Sequence, residues 1–186
     1  PMPRSNTSKL ILIAFFSQLY FYSHVGTLYL RFRGLSFLEI SSLAGIILVT
    51  LFLVEVPSGV LADRIGRKKT YLLALGFQLV GEIAYCFANT YWHFVGTSIL
   101  AGFNWAFISG CASALLYDSL RYEGREDQMT RESGRIRSME EIAAITSSLL
   151  GGLLIPELEL GRFTFAIGLT ALGVAISLLM ALPLEE

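Results

Sequence analysis

Histidine and cysteine are scarce in this chain, two of each in 186 residues, and neither pair is disposed for chemistry. His24 and His93 fall in different predicted helices, and no metal-ligand pair recurs at helical spacing. Cys86 and Cys111 lie inside apolar stretches, where thiols pack as small polarizable groups rather than form a disulfide. A phosphate-cradling glycine loop and a nucleophile-histidine-acid set are also missing. Enzyme chemistry and resident cofactors therefore find no support. Charge is short as well: only 16% of residues are charged against 54% apolar, and the mean hydropathy is +0.60. A soluble domain has too little interior to bury that much apolar surface.

What is present is a series of long apolar runs. A helix needs roughly 20 mostly apolar residues to cross a hydrocarbon core. Six runs qualify, over about 9–30, 37–61, 70–88, 92–117, 139–156 and 163–183. Glu140 and Glu141 open the fifth, and Ser147, Ser148 and Pro156 dilute it. The first is too long for a signal peptide and lacks a small-residue cleavage site. The expectation is an all-α integral membrane protein, surrounded by lipid.

Lysine and arginine divide steeply between loops. Arg4, Lys9, Arg64, Arg67, Lys68, Lys69, Arg121, Arg125, Arg131, Arg135 and Arg137 fall on one side, and only Arg31, Arg33 and Arg162 on the other. The positive-inside rule then places both chain ends, and the loops after spans 2 and 4, in the cytoplasm of a cell or inner membrane. Because these charges flank membrane segments, no nucleic-acid partner is expected. The loop over 118–137, dense in both signs, reads as a solvated amphipathic segment along the cytoplasmic face.

Between spans 2 and 3 the chain reads Gly59-Val-Leu-Ala-Asp63-Arg64-Ile-Gly66-Arg67-Lys68-Lys69, a tight turn of glycines and alternating signs. This segment resembles the loop signature of the major facilitator superfamily, G-x-L-a-D-R-x-G-R-[KR], with Tyr71 at the family's closing aliphatic position. The resemblance covers essentially the whole chain. It implies one half of a twelve-helix fold, built as two inverted three-helix repeats in which spans 2 and 5 correspond. Arg33, Ser36, Glu39 and Ile40 before span 2 match Arg135, Ser138, Glu141 and Ile142 before span 5, as capping boxes or as a relic of the repeat.

The resemblance also implies roles. Asp63 sits where the positive N-terminus of span 3 favours a carboxylate, and with Arg64 and Arg67 it would form a charge lock on the cytoplasmic side, Asp118 at the end of span 4 being the mate of Arg67. Gly59 would permit close helix approach and Gly66 a left-handed turn. The alternative is that these residues only anchor a turn. In span 4 the family's coupling arginine is replaced by Ser98, four residues before Gly102. In span 5 the exporter signature is reduced to Gly151, Gly152 and a displaced Pro156.

Charged groups within the spans cost roughly 2.5 to 3.5 kcal/mol each on insertion scales, which marks Glu55 and Glu82, with His24, as proton-coupling candidates. Glu55 lies eight residues before Asp63, roughly 12 Å deeper along a helix. Substrate contacts are expected from spans 1 and 4, which line the cavity of the resembled fold. Tyr20, His24 and Thr27 share one helical face, Gln18 and Tyr22 a neighbouring one, and span 4 offers Asn104, Trp105, Ser109 and Ser113. Aromatic walls with scattered amides and hydroxyls suit amphipathic or cationic small molecules. Tyr and Trp here serve equally as packing or interfacial residues, and Tyr91, Trp92 and His93 read as an interfacial belt.

The expected function is proton-coupled export of small amphipathic compounds by alternating access, with a second six-helix half as partner. That half is either a missing C-terminal domain or a second copy. The alternatives are an importer or facilitator of a small solute, and a transport-inactive fragment or scaffold. Pro1 ahead of Met2, and a stop at Pro183-Leu-Glu-Glu186 where a central linker would begin, point to an excised N-terminal half. An immunoblot of source membranes, raised against the 118–137 loop, is expected to show a band near twice the 20.5 kDa of this chain. A band at 20.5 kDa itself would favour a self-pairing half.

Overall fold

The computed structural model describes residues 5–156 and 159–184, and every regular element among them is helical. The α-helices are α1 (Ser5–Ser17), α2 (Gly26–Phe32), α3 (Phe37–Ile65), α4 (Arg67–Phe87), α5 (Tyr91–Tyr122), α6 (Met129–Leu154) and α7 (Leu160–Ala181). Four of them, α3, α4, α5 and α7, are long and apolar enough to cross a membrane. Pro1, Met2, Arg4, Glu185 and Glu186, used above in the charge count and in reading the chain's ends, lie outside the described residues.

The helix starts follow local chemistry. Ser36 caps α3: its hydroxyl accepts from the Glu39 N–H while the Glu39 carboxylate accepts from the Ser36 N–H, a complete capping box. The matching Ser138 is no cap. It lies in the interior of α6, its hydroxyl donating to the Gly134 carbonyl, so the paired-capping-box reading holds only for the first copy. Gly66 joins α3 to α4 with φ of 96°, a left-handed value that a Cβ would strain.

The stretch expected as one helix over 9–30 is interrupted. α1 stops at Ser17, a 3-10 turn covers Ser23–Val25, and α2 resumes at Gly26. Backbone groups freed in an apolar interior must find partners, and here neighbouring helices supply them. The Gln78 amide donates to the Ser17 carbonyl at 2.8 Å, and the Phe21 N–H donates to the Thr170 hydroxyl at 3.2 Å. Turns from Ser23 to Tyr20 and from Val25 to Tyr22 absorb others. Glycines on α6 and α7 let those helices close on the break: Gly173 faces the Phe16 carbonyl and Gly151 the Phe21 carbonyl and His24.

The charged segment over 118–137 is also more ordered than expected of a solvated loop. α5 runs on to Tyr122 and α6 starts at Met129, leaving a short connection that includes a 3-10 turn at Glu126–Gln128. Pairs at i,i+3 and i,i+4, Arg135 with Glu132 and Arg137 with Glu140 and Glu141, carry the helix through this region.

Beside a small apolar cluster of Ala74 on α4 with Ala106 and Phe107 on α5, two larger apolar cores lie toward opposite ends of the bundle. One gathers Leu10 and Ile13 of α1, Tyr71 and Leu75 of α4, Cys111 and Leu115 of α5, and Ala181 of α7. The other gathers Tyr29 of α2, Leu43 of α3, Phe94 of α5, and Phe163 and Ile167 of α7. Each continuous helix thus passes from one core to the other, and its middle faces whatever lies between. α3 is the exception in burial: only 6% of its most apolar stretch is buried, with Leu48, Phe52, Leu53 and Val56 outward.

Gly151→Ala is expected to destabilise the bundle by about 1–3 kcal/mol or more, because the new methyl would overlap the Phe21 carbonyl. Gly152→Ala, whose Cβ would meet nothing nearer than 3.9 Å, should be tolerated. Thermal unfolding of the two variants in detergent checks the contrast.

Candidate functional site

Between the two cores a cavity of about 220 Å³ opens among the helix break, α3, α4 and α5. The break contributes Tyr20 and Tyr22, α4 contributes Gln78, Glu82 and Tyr85, and α5 contributes Thr97, Ser98, Asn104 and Trp105. Spacing explains α4's share: positions 78, 82 and 85 are one and two turns apart on a single face.

The break explains the share of the first segment. In an unbroken helix Tyr20 and Tyr22 would point some 200° apart. Instead both rings line the cavity, 6.2 Å apart and edge to face. The expected face of Tyr20, His24 and Thr27 does not form, since no helix spans those residues.

The polar groups in the cavity are held firmly. The Tyr22 phenol donates to both Glu82 carboxylate oxygens, at 3.0 and 3.1 Å, and its ring stacks on Tyr85 at 5.3 Å. The Gln78 amide nitrogen donates to the Ser17 carbonyl and to the Tyr20 hydroxyl at 2.7 Å. Asn104 donates to the Ala74 carbonyl at 2.8 Å. Gln78 and Glu82 are 6% and 8% exposed, and the Gln78 Oε1 has no hydrogen-bond partner.

The structure thus brings together Tyr20, Tyr22, Glu82, Asn104 and Trp105 of the sequence candidates. It leaves others outside the cavity. Gln18 lies at the start of the break, His24 and Thr27 are exposed, and Ser109 is exposed with its hydroxyl on the Ala106 carbonyl. Glu55 is exposed on α3 beside Phe52 and Val56. Gln78 and Tyr85 belong to the cavity and were missed by the sequence reading; their i, i+4, i+7 register with Glu82 was the available signal.

A second group of polar residues sits at the Gly66 end. The Arg67 guanidinium pairs with the Asp118 carboxylate across α4 and α5, and also donates to the Ala114 carbonyl at 3.3 Å. Asp63 and Arg64 are exposed. Gly59 lies where α3 and α5 approach, but the contact is set from the other side: a Cβ on Gly110 would meet Gly59 Cα at 3.6 Å, whereas one on Gly59 meets nothing. Glu132, only 1% exposed, accepts from Arg135 at 3.0 Å and from Arg125 at 3.3 Å. Arg125 in turn reaches Glu123 and Gln128. Sequence reading placed Glu132 in a solvated segment; its burial follows from α6 extending back to Met129.

The family profile described as Major Facilitator Superfamily matches residues 10–186. The Shigella flexneri protein named enterobactin exporter EntS is 34% identical over 131 residues, covering 69% of this chain and 31% of the relative. The protein of the same name in Salmonella choleraesuis (strain SC-B67) is 32% identical over 139 residues, covering 73% of this chain and 32% of the relative. The chain therefore spans about a third of the length of the relatives it matches.

Arg67 and Asp118 keep 33% and 45% of their side chains exposed, so a double-mutant cycle with alanine at both positions is expected to give a coupling of about 0.2–1 kcal/mol in thermal unfolding. Glu132→Ala leaves Arg125 and Arg135 without their shared carboxylate. It should cost about 1–3 kcal/mol and expose the Arg125–Arg135 stretch to trypsin, a cleavage that Glu132→Gln, keeping the shape, should show to a smaller degree.

Proposed function

The chain belongs to the Major Facilitator Superfamily, and from that membership we propose that it is the six-helix N-terminal half of a secondary transporter, exporting small amphipathic compounds by alternating access with the proton as coupling ion. Support for export comes from the relatives, which are named as exporters. The observation that carries a transport role is the polar, aromatic cavity built where the first span breaks. Interrupted helices at mid-membrane are how many carriers expose polar groups to a substrate.

In this reading α1 and α2 together make one crossing, and α6 makes another, giving two repeats of three. The packing of helices supports it. α3 packs on α5 as α1 packs on α6, α4 packs on α5 as α1 packs on α7, and α4 packs on α7. Exchanging first, second and third spans for fourth, fifth and sixth maps this set of neighbours onto itself. The second six-helix half would cover the outward apolar faces of α3 and α6, where Phe52, Val56, Leu149 and Leu153 are exposed.

The Gly66 end would face the cytoplasm of an inner membrane, with both termini on that side. There Gly59, Asp63, Arg64, Gly66, Arg67 and Asp118 would act as the charge lock. The Arg67–Asp118 pair ties α4 to α5, while exposed Asp63 and Arg64 remain available to the other half. Glu82 is the coupling residue best supported by geometry, since it lines the cavity whereas Glu55 and His24 do not.

Efflux from cells expressing the carrier tests the proposal. Collapse of the pH gradient is expected to abolish flux, and Asp63→Asn to reduce it to background while the protein stays inserted and folded. Flux that ignores the pH gradient would favour a facilitator, and normal flux from Asp63→Asn would remove the charge lock.

A further inference from the structure

A second hollow, of about 740 Å³, runs as a groove along the outer face of α4. Lys69, Leu72, Leu73, Gly76 and Val80 recur at helical spacing on one stripe of that helix, with Ile65 at the end of α3 and Leu100 of α5 at the sides. Gly76 makes the floor. A Cβ there would meet nothing within 4 Å, so the missing side chain leaves a notch that no neighbouring helix fills. Phe77, which also lines the polar cavity, forms the inner wall and is held by ring contacts to Phe103 and Phe107 at 5.2 and 5.4 Å.

Length and polarity say what fits. From Lys69 to Val80 is eleven residues, roughly 16 Å of helix rise. That is half of a hydrocarbon core of about 30 Å, which the 21 residues of α4 cross once. The groove therefore starts at one membrane surface and ends near the midplane, the depth of one leaflet. A helix packed on α4 would follow it across the whole span, whereas beyond Val80 the same stripe continues as Ile83 and Phe87, which stand out exposed.

The surface end of the groove is positive. Arg67, Lys68 and Lys69 fill the first turn of α4, which holds no acidic residue and has no side-chain cap at Gly66. Cations are disfavoured at that pole of the helix dipole, and the turn calls for an anion. Arg67 has Asp118. Among the described residues no ion pair reaches Lys68, Lys69 or Arg64, and Lys69 stands exposed at the mouth of the groove. Lysines at a membrane surface attract anionic headgroups of the leaflet beside them.

We infer that this groove binds an anionic phospholipid of the leaflet at the Gly66 end. One acyl chain lies along Leu72, Gly76 and Val80, and the Lys69 ammonium donates to the phosphate, with Lys68 and Arg64 adding to the local positive charge. The headgroup supplies the anion that the first turn of α4 lacks, and the chain fills the notch. The site requires that α4 cross a membrane, not that the chain transport.

Quenching of tryptophan fluorescence by brominated lipids reads the occupant directly, because the bromines sit on the acyl chain and free phosphate carries none. Trp92→Phe and Trp105→Phe together remove both native tryptophans. In that background Leu73→Trp places a reporter in the groove, and Leu179→Trp places one on the exposed surface of α7 toward the same end of the bundle. The chain is reconstituted in dioleoylphosphatidylcholine vesicles with increasing fractions of dibrominated phosphatidylglycerol or dibrominated phosphatidylcholine. At Leu73→Trp the glycerol lipid is expected to bind roughly fivefold more strongly than the choline lipid, the effect of one lysine at a membrane surface. At Leu179→Trp the two lipids should bind alike. Lys69→Gln should bring the groove ratio toward one, and so should Gly76→Leu, which fills the notch and keeps every charge. Equal ratios at the two reporters, or a groove ratio unchanged by Gly76→Leu, would leave only general charge attraction and overturn the site. Failure of both lipids to quench Leu73→Trp would mean that protein covers the groove, which overturns it as well. The two lipids are compared within one protein, so the test decides the matter even if Lys69→Gln or Gly76→Leu fails to insert, and Val80→Trp replaces Leu73→Trp should that reporter misfold.

Discussion

The break between α1 and α2 is the constraint on which the centre of the molecule depends. Peptide groups between Ser17 and Val25 leave the helix inside an apolar bundle, where each unmade hydrogen bond costs several kcal/mol. They are tolerated because Gln78 of α4 and Thr170 of α7 reach across to bond the backbone, and because Gly151 and Gly173 present no side chain where the displaced chain passes. Three helices are thereby fitted to one irregular segment. A change in any of them is felt at the others.

The same fitting builds the cavity. The Gln78 amide nitrogen is committed to the Ser17 carbonyl and the Tyr20 hydroxyl, and its Oε1 is buried without a partner. Tyr22, released from helical register, turns its hydroxyl onto Glu82 and its ring onto Tyr85. Structural support for the break and the polar character of the site are thus one set of contacts. Packing of the two flanking cores, around Leu75 and Leu115 on one side and Phe94 and Phe163 on the other, holds the helices that frame it.

At the Gly66 end, ion pairs add to the apolar packing around Tyr71, Leu115, Leu120 and Ala181. Arg67 joins α4 to α5 through Asp118, and Glu132 gathers Arg125 and Arg135 at the start of α6. The two clusters differ in kind. The first is partly open to solvent and correspondingly weak, whereas the carboxylate of the second is enclosed and depends on both of its arginines.

Hydropathy alone was enough to mark α3, α4, α5 and α7 as membrane-spanning helices, because a 20-residue apolar run has no other stable solution in lipid. The glycine and charge pattern from Gly59 to Lys69 was likewise legible, as were the Ser36 capping box and the pairing of Arg67 with Asp118, since each rests on local spacing or on residues at the ends of adjacent spans. The break at 18–22 was not legible, because it is written in the partners that Gln78 and Thr170 provide from elsewhere in the chain. For the same reason Tyr20 and Tyr22 came to share a wall, Gln78 and Tyr85 joined the site, and Glu132 moved from a solvated loop to a buried cluster. The sequence by itself determined which helices are long and apolar enough to cross a membrane, a matter of composition; tertiary contact decided where the stretch over 9–30 leaves the helix, a matter of which distant side chains can satisfy its backbone.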